Sequence, residues 1–218
     1  MKDNQVHQAI AILTEAVKAW VSPAVTIVAT QGKDPFKVLV SCILSLRTRD
    51  QTTAEASARL FALADSPEKM VHLDVPQIEA VIYPVGFYRV KAEQILEISR
   101  SLCDLYRGAV PDDLETLLKF KGVGRKTANL VLTLGFGKPG ICVDIHVHRI
   151  CNRWGYVKTR TPEQTEFALR EKLPAEYWII INDLLVTFGQ NQCTPLSPRC
   201  STCPLYDLCD RVSVAKSR

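Results

Sequence analysis

The run FKGVGRKTAN occupies residues 120–129 and lies between two stretches with helical periodicity. Two glycines, Gly122 and Gly124, enclose one apolar residue, Val123. Glycine permits the backbone angles of a tight turn, and the helix that follows begins with unpaired N–H groups and the positive end of its dipole. The run therefore predicts two helices joined by a turn that can bind an anion.

The charges around this turn point to a phosphate as the anion. Arg125 and Lys126 at a helix N-terminus would each cost about 0.3–1 kcal/mol unless a negative group binds there. Residues 116–160 hold nine basic residues and one acid, whereas the rest of the chain has 18 basic and 22 acidic residues. This asymmetry predicts an electropositive face for a polyanion such as DNA. Without the flanking charges, a simple connection between two helices would be the better interpretation.

The rest of the chain also follows helical periodicity, and the predicted fold is all-α. Apolar residues at 6, 10, 13, 17 and 20 form one helical stripe. Cap-plus-proline pairs at Asp34, Ser66 and Thr161 predict helix starts, and Thr161 with Gln164 offers a capping box. Trp20, Trp154 and Trp178 are expected in the core. Further stripes cover 35–47, 51–63, 90–106, 124–136, 143–154, 162–172 and 176–188.

The eight cysteines divide into two sets. Four are scattered among helical stripes and are expected to be small core residues: Cys42, Cys103, Cys142 and Cys151. The other four form Cys-x6-Cys-x2-Cys-x5-Cys in a proline-rich segment: Cys193, Cys200, Cys203 and Cys209. Four thiolates on a short loop suit either zinc or an iron-sulfur cluster, and the spacing alone does not choose between them.

Composition excludes several classes of protein. The chain has 218 residues, of which 47% are hydrophobic and 23% charged, so it is neither disordered nor collagenous. The longest uncharged stretch, residues 184–198, holds 15 residues with three polar amides and two prolines, and is no membrane span. The N-terminus shows no signal-peptide pattern. The expected location is cytoplasmic, with cysteines reduced or bound to metal.

The hairpin run, the segment Val143-Asp144-Ile145-His146 and the four-cysteine tail together resemble the endonuclease III family of helix-hairpin-helix DNA glycosylases. The resemblance extends over roughly residues 25–210. It implies a two-lobed, all-helical fold, with a six-helix lobe at 28–138 and a second lobe formed by 1–27 and 139–218 with a [4Fe-4S] cluster loop held by the four cysteines. It also implies that DNA lies between the lobes with the damaged base flipped out.

The resemblance assigns the nucleophile to Lys126 and the essential carboxylate to Asp144. A lysine attacks only as the free amine, and Arg125, the helix dipole and a dry cleft would all favour that form. Without the resemblance, a phosphate contact for Lys126 and a helix cap for Asp144 would be the preferred interpretations. His146 and His148 are two residues apart and face different sides of a helix, so His146 is expected to be a structural or site-wall residue, and no catalytic metal is expected.

A flipped base leaves a gap that a side chain must fill. The family's glutamine for this role falls on Arg47 within the run Leu44–Asp50, so insertion remains a hypothesis and the preference for the opposite base is in doubt. The apolar wedge falls on Val85-Gly86-Phe87, with Phe87 able to stack on a base. A packed loop and a solvated arginine are the alternative. Lys91 is expected to contact the DNA backbone or to be solvated.

The predicted function is excision of oxidised pyrimidines from double-stranded DNA, followed by nicking of the abasic site by β-elimination. Predicted DNA contacts are Gly122, Val123, Gly124, Arg125, Arg47, Val85, Phe87, Lys91 and His146. The related adenine glycosylases lack a lysine at position 126 and use a glutamate about where Cys42 stands. The alternatives are a non-catalytic module that binds DNA structures and a related glycosylase with a different lesion preference. The protein is expected to be a monomer, associated with the nucleoid through DNA.

Overall fold

The computed structural model describes all 218 residues. Its regular secondary structure consists of helices, without a strand. The predicted all-α fold is confirmed. The helices are α1 Val6–Ala16, α2 Ala24–Thr30, α3 Pro35–Ser45, α4 Asp50–Leu63, α5 Pro67–Met70, α6 Val75–Ile82, α7 Tyr88–Tyr106, α8 Leu114–Leu117, α9 Arg125–Leu130, α10 Ile145–Arg153, α11 Pro162–Lys172 and α12 Ile181–Asn191. Helix α9 continues as a π-helix, Val131–Gly135.

The predicted helix starts are confirmed by side-chain caps. Asp34 accepts from two backbone N–H groups of the first turn of α3, and Ser66 accepts from one in α5. Thr161 caps α11 by accepting from the Gln164 N–H at 3.2 Å. The predicted capping box differs in its second bond. Gln164 Oε1 accepts from the N–H of Arg160 at 2.9 Å, instead of from the N–H of Thr161.

One compact unit comprises residues Ala24–Gly140. Helix α3 is its centre: nearly every residue from Phe36 to Leu44 is buried, and α2, α4, α7 and α9 pack around it. The π-helix approaches α3 very closely, since a Cβ on Gly135 would lie 2.9 Å from Pro35 Cα. The helix that follows the hairpin is therefore held against the most buried helix of this unit.

The other compact unit comprises Met1–Pro23 and Ile141–Arg218, and α10, α11, α12 and α1 pack in it around a shared core. Trp154 lies in this core and is 2% exposed. Trp20 and Trp178 are half-buried at its margin, so their predicted core positions were only partly right. The Trp178 indole Nε1–H donates to Leu173 O at 2.8 Å.

The chain passes between the two units at residues 23/24 and 140/141, where the sequence placed the boundaries at 27/28 and 138/139. The difference at the first boundary has a simple reason: α2 begins at Ala24 and packs on α3 and α4.

No single helix is long and apolar enough to cross a membrane; segments Asp3–Ala19 and Ala24–Thr30 reach that length and composition only as a bent pair.

Of the four scattered cysteines, Cys42, Cys142 and Cys151 are buried as predicted, and Cys103 is half-buried. Burial raises the pKa of Cys151 to about 12. A thiol with such a pKa stays protonated at neutral pH, so Cys151 behaves as a small apolar residue of the core.

Shortening a buried side chain of α3 should lower the stability of the protein far more than shortening an exposed one. Leu39 is 0% exposed, so Leu39→Ala should lower the free energy of unfolding by about 2–5 kcal/mol. Leu105→Ala removes the same atoms from a side chain that is 72% exposed, and it should change stability by less than about 0.5 kcal/mol. Urea unfolding followed by circular dichroism measures both; equal losses would contradict the central role of α3.

Candidate active site and metal centre

The two glycines of the hairpin between α8 and α9 have different environments. Gly122 has a φ of +76°, in the left-handed region, and a Cβ there would collide with Gln94 Nε2. Gln94 in turn donates to Lys121 O at 2.8 Å and fixes the turn to α7. A Cβ on Gly124 would meet nothing within 4 Å, so this side of the turn is open. A ligand can therefore approach the backbone of Gly124 closely.

Val123, a predicted DNA contact, has an internal role instead. Its side chain is buried, and its N–H donates to Phe120 O at 3.0 Å. The correction has a physical reason: the one apolar residue between the glycines anchors the turn to the core, so its side chain and its amide are both occupied. Gly122, Gly124 and Arg125 remain predicted contacts.

Lys126 is the second residue of α9 and is half-buried. Helix α9 packs on α3, and this places the Lys126 charge near the thiol of Cys42. Burial raises the pKa of Cys42 to about 12, although the nearby Lys126 charge acts in the opposite direction. Cys42 is therefore a neutral thiol at physiological pH, and the residue beside Lys126 on α3 brings no competing negative charge.

Asp144 is the N-cap of α10. Its Oδ1 accepts from the N–H groups of His146 at 2.8 Å and Val147 at 2.9 Å. The side chain is half-buried, and both capping bonds go to one of its two oxygens. The helix-cap role, which the sequence offered as the alternative for Asp144, is thus present. The two bonds to Oδ1 fix the orientation of the carboxylate, and Oδ2 takes no part in them.

The two histidines of α10 lie on different faces, as predicted. His146 Nδ1 accepts from Arg149 Nη2 at 3.0 Å and lies against Gly189 of α12, where a Cβ would collide with it. His148 Nδ1 is 2.7 Å from Thr165 Oγ1 of α11, and burial lowers its pKa. The packing of His146 on α12 is a structural role; a contact with DNA remains a prediction.

Two neighbouring turns carry the residues expected to enter DNA. Arg47 and Phe87 both have left-handed backbones, with φ of +53° and +59°. The Arg47 guanidinium carbon lies 5.5 Å from the centre of the Phe87 ring, a cation–π contact, and the Phe87 side chain is 61% exposed. The two predicted insertion residues thus stand together on the surface of the 24–140 unit.

Two other predicted contacts prove to be internal. Val85 is 1% exposed, so the apolar wedge reduces to Phe87, and Val85 belongs to the core. Lys91 is 5% exposed, and its ammonium donates to Leu44 O, Leu46 O and Thr48 Oγ1. The prediction for Lys91 was wrong because a charged residue on an early helical turn resembles a surface residue in sequence.

The four tail cysteines line one cavity together with Arg153, Trp154 and Phe188. The pKa of Cys203 is raised to about 11, chiefly by burial and in smaller part by the charges of the other three cysteines. Four mutually repelling thiolates require a positively charged centre, and a metal deprotonates coordinating thiols. The donor set therefore fits a thiolate-bound metal centre, and an iron-sulfur cluster is one of the two centres that the spacing allows.

Two arginines of α10 hold the start of this loop, a role that was not predicted from the sequence. Arg149 Nη2 donates to Gly189 O at 3.2 Å and to Cys193 O at 2.9 Å. Arg153 donates to Thr194 O and Pro195 O, both at 2.7 Å, and to Cys193 Sγ at 3.3 Å. Their i, i+4 spacing on one helix was the available signal, but it does not indicate which carbonyls they bind.

Comparison with known proteins gives the same assignment. Residues 40–175 match the HhH-GPD superfamily of base excision DNA repair proteins, and residues 193–209 match the iron-sulfur binding domain of endonuclease III. The chain is 51% identical over 177 residues to endonuclease III of Thermotoga maritima, covering 81% of this chain and 83% of that one. It is 38% identical over 176 residues to endonuclease III of Escherichia coli K12, with 81% and 83% covered.

Solved structures agree. A non-covalent endonuclease III–DNA complex matches with a TM-score of 0.84 and 31% identity, covering 97% of this chain and 96% of that one. A trapped covalent endonuclease III–DNA intermediate matches with a TM-score of 0.83 and 30% identity, covering 97% of each chain.

The all-helical fold and the glycine hairpin define a base excision repair protein of the helix-hairpin-helix class. Within that class, the chain belongs to the endonuclease III family. The resemblance stated from sequence is confirmed, and so is the predicted enzyme class, a DNA glycosylase with lyase activity. The metal centre is the [4Fe-4S] cluster, which decides the choice that the cysteine spacing left open between zinc and iron-sulfur.

Removal of a cysteine from the tail should empty the metal centre. The purified protein should be brown and carry about four irons. Cys203→Ser should lose most of the iron, and solubility and DNA binding should fall together because the loop loses its frame. Cys103→Ser, outside the loop, should keep its iron. Iron analysis and visible absorption measure the outcome; a colourless, fully active wild-type protein with one zinc would contradict it.

Proposed function

We propose that this enzyme excises oxidised pyrimidines from duplex DNA and nicks the resulting abasic site by β-elimination, with Lys126 as nucleophile. The observation that carries the proposal is that Lys126 is the second residue of the helix that follows the hairpin. The chain is also 30% identical to an endonuclease III that was trapped as a covalent DNA intermediate. The substrate class follows from the family and from the lysine that adenine glycosylases lack.

In the proposed reaction, the Lys126 amine forms a bond to C1′ as the bond between C1′ and the base breaks. The base leaves with the bonding electrons and takes up a proton. The lysine nitrogen loses a proton, the C1′–O4′ bond breaks with a proton taken up by O4′, and an iminium ion forms on Lys126. Loss of a proton from C2′ then expels the 3′ phosphate and nicks the strand, and water hydrolyses the iminium to free Lys126. Covalent catalysis of this kind divides one difficult step into easier ones.

Asp144 is proposed to stabilise the positive charge that develops on the sugar and to handle the lysine proton. The two capping bonds to Oδ1 hold the carboxylate in one orientation, so no reorganisation is needed when the charge develops. Such fixed charges are worth more than mobile ones in water.

The hairpin and the paired surface residues are proposed to hold the DNA. The open side of Gly124 and the start of α9 suit a phosphate, which contributes affinity without sequence information. Arg47 is proposed to fill the gap left by the flipped base, with Phe87 beside it as the wedge. Arginine brings planar donors for the orphaned base, in place of the family's glutamine.

The proposed cluster ligands are Cys193, Cys200, Cys203 and Cys209. When bound, the [4Fe-4S] cluster crosslinks the loop and so supports folding of the tail. Arg153 and Arg149 hold the loop's first cysteine to α10. The proposed state is a monomer acting in the cytoplasm on nucleoid DNA. Activity on a panel of duplexes with different lesions and opposite bases tests the substrate class.

The chemistry of Lys126 can be tested by borohydride trapping. Wild-type protein should form a covalent adduct on abasic-site DNA, and Lys126→Gln should abolish both the adduct and the nick. Lys121→Gln, an exposed lysine on the same turn, should retain both. Binding by Lys126→Gln should largely persist, since the turn amides remain. An adduct formed by Lys126→Gln at the wild-type rate would disprove the mechanism, and intact binding without any wild-type nicking would favour a non-catalytic module.

The role of the Asp144 charge can be separated from its capping role. Asn is as good an N-cap as Asp, so Asp144→Asn should fold normally, whereas base excision should fall about 10²–10³-fold. On preformed abasic sites the loss should be smaller, because no glycosidic bond has to break. Asp74→Asn, at the cap of α6, should leave both rates unchanged. Rates from single-turnover assays decide; equal losses on both substrates would contradict the assignment.

A further inference from the structure

Lys91 presents a buried positive charge that is held only by neutral oxygens. Its Nζ donates to Leu44 O at 2.8 Å, to Leu46 O at 2.6 Å and to Thr48 Oγ1 at 3.2 Å, so each of its three N–H groups has an acceptor. Burial without a counter-ion lowers its pKa to about 8. Buried lysines of this kind are rare, because desolvation of the ammonium is costly.

The carbonyls that Lys91 binds belong to the end of α3. The last carbonyls of a helix lack partners within the helix, and here the chain leaves α3 at Ser45 and enters the left-handed turn at Arg47. Lys91 itself lies on the first turn of α7, and its backbone N–H donates to Phe87 O at 3.1 Å. Lys91 is therefore bonded to the turn of Arg47 through its side chain and to Phe87 through its backbone.

Thr48 joins the same two turns. Its Oγ1 accepts from the Gly86 N–H at 3.1 Å as well as from Lys91. Gly86 is required at this joint, because a Cβ there would lie 2.6 Å from Arg47 O. We call residues 46–49 and 85–88 the paired turns. Above this joint, Arg47 and Phe87 meet in their cation–π contact.

We propose that Lys91 is a positioning residue of the reaction: through Thr48 and the α3 carbonyls it locks the paired turns into one rigid unit, which presents Arg47 and Phe87 to the DNA together. The inference rests on the proposed insertion of Arg47. A preformed pair enters the base stack without an ordering cost, whereas two separately mobile turns would have to be ordered during base flipping. Lys91 touches neither the DNA nor the reacting atoms in this role.

The test compares two substrates that differ in their need for insertion. In duplex DNA with an oxidised pyrimidine the gap must be filled, whereas single-stranded abasic DNA has no stack to fill. Lys91→Met and Thr48→Val should lower excision from the duplex about 10- to 100-fold and cleavage of the single strand by less than about twofold. Lys172→Met is the control: Lys172 Nζ also donates to a backbone carbonyl, Tyr156 O at 2.8 Å, but Lys172 lies outside the paired turns and outside the basic stretch 116–160, and both rates should stay unchanged.

Folding is measured separately by thermal unfolding of each variant. Thr48→Val keeps the size of the side chain and leaves the two carbonyl bonds of Lys91 intact, so it tests the joint even if Lys91→Met unfolds. Equal losses on both substrates would show a merely structural role and would overturn the proposal.

A double variant tests whether Lys91 acts through Arg47. If it does, Lys91→Met added to Arg47→Ala should reduce duplex excision little beyond Arg47→Ala alone. Independent, multiplying losses would overturn the positioning role while leaving insertion intact. Wild-type duplex activity in Arg47→Ala and Phe87→Ala would instead overturn insertion, and the positioning role with it.

Discussion

The end of a fully buried helix has to satisfy its last carbonyls, and in the 24–140 unit this requirement falls on α3. Its residues Phe36–Leu44 are almost all buried, so carbonyls near the end of the helix, such as that of Leu44, need partners within the protein. The ammonium of Lys91 meets this need at Leu44 and Leu46. Leaving such groups unsatisfied would cost about 1–3 kcal/mol each, so these bonds recover part of the cost of burying the lysine.

The same helix sets the position of the proposed nucleophile. Helix α9 and the π-helix after it lie against α3, close enough that Gly135 admits no Cβ beside Pro35. Lys126 thereby lies near Cys42, a residue whose burial keeps it neutral. In the other unit α10 has a comparable place: its first turn orients Asp144, and its arginines hold the loop that begins at Cys193. Each unit thus organises its functional groups around one helix.

Features that depend on local sequence could be predicted. Proline after a capping side chain located the starts of α3, α5 and α11, and the spacing of glycines and cysteines located the hairpin and the metal loop. Short helices such as α2 and α6 did not stand out, because seven or eight residues give too few turns for a clear periodic signal.

Features that depend on tertiary burial could not be predicted. Val85 and Phe87 are two residues apart and both apolar, yet one is in the core and the other is on the surface. Phe87 also has a left-handed backbone, which its residue type does not indicate, since this conformation is usual only for glycine and asparagine. The prediction for Lys91 was wrong for a similar reason: only the packed structure shows the carbonyls to which its ammonium donates.

Left-handed backbone at two non-glycine residues costs about 1–2 kcal/mol at each and persists only where the surroundings enforce it. At Arg47 and Phe87 the enforcing contacts can be identified: the Thr48 hydroxyl, the absent Cβ of Gly86 and the Lys91 ammonium. Glutamine in the family's position is shorter and uncharged, whereas Arg47 carries a planar cation that stacks on Phe87. The exchange therefore ties the side chain proposed for insertion to its neighbour before DNA arrives, and under this proposal the rigidity of the paired turns is part of how a flipped base is accommodated.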